Sequence, residues 1–88
     1  MEKLEKTIIS NLIKAINHAN NYAEQNDIKS NKFCLGQVDA FLSILEGIGH
    51  NVVCEFSRIQ QWGTSGTHKF ERIEKILMDD KVIFVKNA

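Results

Sequence analysis

From Leu4 to Tyr22 apolar residues return every three or four positions: Leu4, Ile8, Leu12, Ala15, Ala19 and Tyr22, with Ile9, Ile13 and Ile16 widening the band. A strand buries every second residue, so this spacing commits the first quarter of the chain to an amphipathic helix. Glu2 and Lys6 add an i,i+4 pair on its outer face. Asn20, Asn21, Asn26 and Asp27 lower helix propensity and are expected to close the element near residue 25, with a loop over 27–32.

Ser30 or Asn31 is placed to cap a second helix, in which Leu35, Val38, Leu42 and Leu45 hold one face and Phe41, Ile44 and Ile48 broaden it. Gly36, Ala40, Ser43 and Gly47 form a row of small side chains along this helix, and Ala15, Ala19 and Ala23 form another along the first. Facing rows of small residues let two backbones approach closely, which predicts an antiparallel αα-hairpin. Packing then offsets the cost of Gly36, about 1 kcal/mol relative to alanine inside a helix. Gly49 suits the left-handed position that stops a helix.

Past residue 50 the period is harder to read. NVVCEFSRI alternates as a strand, with Val52, Cys54 and Phe56 on one face and Val53, Glu55 and Ser57 on the other, although Val52, Phe56 and Ile59 also fit a helical stripe. QQWGTSGT has two glycines and no aliphatic anchor and reads as a loop. Thr67 then caps a third helix over HKFERIEKILMDD, with Phe70, Ile73 and Leu77 as its stripe and Glu71 paired with Lys75. Asp79 and Asp80 turn the chain, and KVIFVKN closes it as a short strand buried on both faces. The expected fold is α+β in one domain over 1–88: a helical hairpin followed by β-α-β with a small two-stranded sheet. An all-α bundle is the alternative.

Composition then narrows the function classes. At 88 residues the chain buries a modest core, and a homodimer through the apolar width of the first helix is expected. Lys plus Arg and Asp plus Glu both count 11, so no overall field draws in a polyanion. VIFV is the longest apolar run, and no membrane span or signal peptide is legible, which makes the expected location cytoplasmic. Cys34 and Cys54 lack CxxC spacing and read as reduced core thiols. With His50 and His68 they would be a poor zinc set, because their spacing is unlike the clustered pairs of structural zinc sites. No metal, cofactor or catalytic constellation is expected, and the chain reads as a non-enzyme.

One stretch concentrates groups that bind things. Between Arg58 and Lys69 lie Trp62, Gly63, Thr64, Ser65, Gly66, Thr67 and His68: a large aromatic, which is either the lid of the small core or an exposed anchor, two glycines, hydroxyl donors and cations, at the expected start of the third helix. The segment lacks the GK[ST] ending of a Walker loop. The leading expectation is a small binding or regulatory protein acting through protein-protein contacts with an unidentified partner. A phage or mobile-element accessory protein that inhibits a host machine is one concrete form. The alternative is a nucleic-acid-binding or nucleotide/anion-binding module that uses residues 63–67 on phosphate.

Overall fold

A computed structural model describes the backbone of residues 2–63 and 66–86, and the side chains of 3–60 and 69–86. Two helices, α1 (Glu2–Glu24) and α2 (Ile28–Gly47), are followed by three strands, β1 (Val52–Gly63), β2 (Gly66–Met78) and β3 (Lys81–Val85). The strands form one antiparallel sheet in the order β1-β2-β3. The α+β class and the N-terminal helical hairpin are therefore as expected. The helix expected over 68–80 is instead β2, the central strand of a meander.

The two helices meet through a connection shorter than the expected loop. Asn26 adopts φ 61°, Asp27 N–H donates to the Tyr22 carbonyl (2.9 Å), and Asn26 N–H donates to the Ala23 carbonyl (3.3 Å). This is a left-handed stop of the Schellman type, with asparagine where glycine is commoner. Asp27, not Ser30 or Asn31, caps α2: its carboxylate accepts from Ser30 N–H at 3.1 Å, so residues 28–32 are helix from the outset. Gly49 ends α2 as expected, with φ 106°, its N–H donating to the Glu46 carbonyl and His50 N–H donating to the Leu45 carbonyl, both at 3.1 Å.

Leu12, Ala15, Ile16, Val38, Leu42, Leu45, Ile73 and Ile76 form the core between the hairpin and the inner face of the sheet. Ala15, Ala19 and Ala23 are buried. The matching row on α2 is not there. Gly36, Ala40, Ser43 and Gly47 are exposed, and a Cβ on Gly36 would meet nothing within 4 Å. Cys34, Val38, Leu42 and Leu45 take the contact face instead. On α1, Ile16 is fully buried and Ile8 and Ile9 pack against the core, while Leu4 is exposed.

Two buried asparagines join the helices to the sheet. Asn20 on α1 accepts from Ile73 N–H (2.9 Å) and donates to the Ile73 carbonyl (3.0 Å), as a neighbouring strand would. Asn31 on α2 donates to the Ala19 carbonyl (2.9 Å) and the Glu71 carbonyl (3.3 Å). β3 pairs only as far back as Lys75, so these side chains serve the stretch of β2 that β3 leaves open. Asp79 and Asp80 turn the chain with φ 52° and 67°, the pair of positive values a two-residue I′ connection needs. β3 is not buried on both faces: Val82 and Val85 are exposed, because it is a sheet edge with one face to solvent.

Candidate functional site

The sheet carries the expected site as the end of a hairpin. β1 and β2 run in register from Arg58↔Glu71 through Ile59↔Phe70, Gln60↔Lys69, Gln61↔His68 and Trp62↔Thr67 to Gly63↔Gly66. Residues that span twelve positions are thereby folded back on each other, and Arg58 and Lys69 lie on adjacent strands two register positions apart. Gly63 and Gly66 face one another across the ladder at the arm's end. The side chains of Trp62, Thr67 and His68 lie outside the described residues, as do Thr64 and Ser65 altogether. Whether Trp62 lies in the core or on an exposed surface falls in the same category.

One expected ingredient is missing. No helix begins at Thr67, since β2 already starts at Gly66 and continues through Met78. The oriented N–H groups and dipole of a helix terminus are therefore not available to a phosphate here. What the fold supplies instead is a recess of about 240 Å3 at the base of the arm, lined by Lys32, Arg58, Lys69, Phe70 and Glu71. Lys32 comes from α2 and went unnoticed in the sequence, because nothing local links it to residues 58–69. Three cations against one carboxylate make this recess locally positive in a chain of zero net charge. The Arg58 guanidinium carbon lies 5.6 Å from the centroid of the Phe56 ring, within cation–π range.

The opposite end of β1 holds a second cluster. His50, just after the stop of α2, contacts Glu5 on α1 through Nε2 and Asp79 of the β2–β3 turn through Nδ1 (2.6 Å). Asp79 also accepts from Asn51 N–H (2.9 Å), and its own N–H donates to the Asn51 carbonyl (2.8 Å). Hydrogen bonding to Glu5 first, and to Asp79 second, raises the His50 pKa, while partial burial opposes them. Asp79 is held below the ordinary carboxylate range, mainly by the Asn51 N–H and then by His50. Both ring nitrogens are occupied by carboxylates, so neither is open to a metal or a substrate. Sequence reasoning passed over this cluster because Glu5, His50 and Asp79 are far apart in the chain.

The remaining candidates do not assemble. Cys34 and Cys54 are free thiols, Cys34 buried on α2 and Cys54 on β1. Burial pushes both pKa values up, with Asp39, Glu71 and Glu55 adding to the rise at Cys54, so neither is poised as a thiolate nucleophile. Among the described residues no group of three or more His, Cys, Asp or Glu side chains is arranged to hold a metal ion. Among them, too, no helix is long and apolar enough to cross a membrane. No protein-family model matches the sequence, no curated protein matches it, and no solved structure matches the fold.

Proposed function

We propose that the chain is a non-enzymatic binding module that works by protein-protein contact through the end of the β1–β2 hairpin, in the cytoplasm. The observation that carries this reading is the convergence of Arg58, Lys69 and Lys32 around one recess, at the base of an arm whose last described pairs are Trp62↔Thr67 and Gly63↔Gly66. A tryptophan beside paired glycines, flanked by cations, has the composition of an interface anchor with a charged rim. The partner that fits is a protein offering an apolar pocket and carboxylates. An accessory protein that occupies a host machine is one form such a module takes.

The same recess supports a nucleic-acid or anion reading, because three cations suit phosphate as well as carboxylate. Salt and substitution separate the two. After capture of the partner from the source cell, Trp62→Ala is expected to cost at least about 2 kcal/mol in affinity, roughly 30-fold, while thermal stability stays near wild type. Lys69→Ala is expected to have a smaller effect on a protein partner. For a polyanion Lys69→Ala lowers the slope of affinity against salt and Trp62→Ala matters less. Loss of folding stability by about 3 kcal/mol or more in Trp62→Ala would mark the ring as core and remove the arm from consideration.

A further inference from the structure

Among the described residues β1 has a strand neighbour on one side only, and that makes its other edge a template for a strand. Which groups line it follows from the asparagine bonds. The Ile73 and Glu71 groups that Asn20 and Asn31 engage point away from β1. Their partners across the ladder are Phe56 and Arg58. In an antiparallel pair, residues opposite each other turn their backbone groups the same way, either toward each other or apart. The N–H and C=O of Phe56 and Arg58 therefore point to the free edge, and Val52 and Cys54 follow by alternation. Asn51 agrees, since its N–H and carbonyl both turn toward Asp79 on the β2 side.

Little in the backbone of this edge opposes pairing. It is twelve residues long, has no proline, and its one irregularity places the extra residue on β2, not on β1. Beneath it, between β1 and α2, runs an apolar groove of about 140 Å3 with Leu35, Val38, Cys54 and Phe56 in its lining and two carboxylates, Asp39 and Glu71, beside them. Phe56 is 47% exposed, which leaves its ring half covered over that groove.

We propose that β1 pairs with β1 of a second copy, antiparallel about a two-fold axis at Phe56, so that two three-stranded sheets become one of six strands. Backbone direction restricts a symmetric pairing to axes that pass through a residue. An axis at Glu55 sets Glu55 against itself and one at Arg58 sets Arg58 against itself, so like charges meet in both. An axis at Ser57 places Glu55 across from Ile59 of the copy. The axis at Phe56 agrees on both faces. On the groove side Phe56 meets its own copy, and Arg58 of the copy arrives beside Cys54, next to Asp39 and Glu71. On the outer face Ile59 of the copy extends the apolar row Val53↔Leu77↔Val82, in which Val53 and Val82 are exposed. Symmetry repeats each match, which an unrelated peptide has no reason to supply.

The inference does not rest on the arm reading, but the two share one residue: Arg58 goes to the copy in the dimer, which leaves Lys32, Lys69 and Trp62 for another partner. Sedimentation equilibrium at tens of micromolar is expected to give the mass of two chains. Arg58→Glu, which puts a carboxylate beside Asp39 and Glu71, is expected to weaken the dimer at least tenfold with an unchanged circular dichroism spectrum. Phe56→Cys, made with Cys34→Ala and Cys54→Ser, is expected to oxidise to a covalent dimer, and Ser57→Cys in the same background is not. Trp62→Ala leaves the two-chain mass in place even if the arm reading fails. A single-chain mass for wild type overturns the proposal, as does a dimer indifferent to Arg58→Glu, or one that cross-links through Ser57→Cys in place of Phe56→Cys.

Discussion

The two ends of β1 are held in different ways. At its start, Asn51 is locked to Asp79 by two hydrogen bonds, and His50 links that turn to Glu5 on α1, so three elements converge on one imidazole. At its far end, the pairs from Gln60↔Lys69 to Gly63↔Gly66 continue past the point where Asn31 of α2 bonds the Glu71 carbonyl. Charged side chains at the first end are consumed by neighbours within the chain. Those at the second, Arg58 and Lys69, are exposed. Charge spent on holding the fold is unavailable for a partner, which is the physical ground for proposing the arm, and not the histidine cluster, as the binding surface.

Between the two ends the central strand depends on Asn20, and removing that side chain is the most severe way to test how far the sheet relies on the helices. Asn20→Ala leaves the buried Ile73 N–H and carbonyl without partners. At about 1 to 3 kcal/mol for each of the two unsatisfied groups, a loss of roughly 2 to 6 kcal/mol is expected from the urea midpoint. Hydrogen exchange should speed up along residues 71–74 more than in α2. A loss below about 1 kcal/mol would show that water replaces the amide and that the helices contribute little to the open stretch of β2.

The same region explains what could and could not be read from the sequence. The helical hairpin was legible because its period is unbroken: Leu12, Ala15, Ile16, Ala19 and Ala23 are all buried. β2 was not, for a specific reason. Cys54↔Ile76, Glu55↔Lys75 and Phe56↔Ile73 leave Glu74 as an extra residue, so Ile73 and Ile76 share the buried face at a spacing of three. A bulge thus copies the helical interval, and the helix-favouring Glu71, Lys75, Leu77 and Met78 reinforce the imitation. The bulge is held by contacts a linear reading cannot see: Ser57 Oγ donates to Glu74 at 2.7 Å, Arg72 Nε lies 3.4 Å from the same carboxylate, and Lys86 N–H donates to the Glu74 carbonyl at 2.8 Å. The arm's residues were found by composition, but their placement opposite one another and beside Lys32 depends on strand pairing, which has no local signature.

The tied end makes a prediction with a sign. The folded-state pKa of His50 is raised, so its contribution is fully present below the ordinary histidine value of about 6.5 and is lost as pH rises through the folded value. Asp79 has a lowered folded pKa, so its contribution is present above the ordinary aspartate value of about 3.9 and is lost as pH falls through the folded value. Thermal stability is therefore expected to be highest between these two ordinary values and to decline on the alkaline side as His50 gives up its proton. His50→Gln should flatten that alkaline decline and leave the acid limb in place. An alkaline limb that persists unchanged in His50→Gln would show that the histidine does not tie this end, and the contrast with the arm would lose its basis.

The smallest expected effect sits on a surface remote from both ends and supplies the baseline for the comparison. Gly36 lies in the interior of α2, exposed, with nothing within 4 Å of the place a Cβ would occupy. An exposed glycine inside a helix costs backbone entropy without a return in packing. Gly36→Ala is thus expected to stabilise the fold by about 0.5 to 1 kcal/mol, visible as a raised urea midpoint with an unchanged slope. Gly36→Leu should be tolerated for the same reason, whereas a close helix contact at this position would make it strongly destabilising. A drop in midpoint for the alanine variant means that something covers this face of α2. The exposed side chain of Phe33, at 68%, is three residues earlier on the helix, and Phe33→Ala in that case should show whether the same cover reaches it.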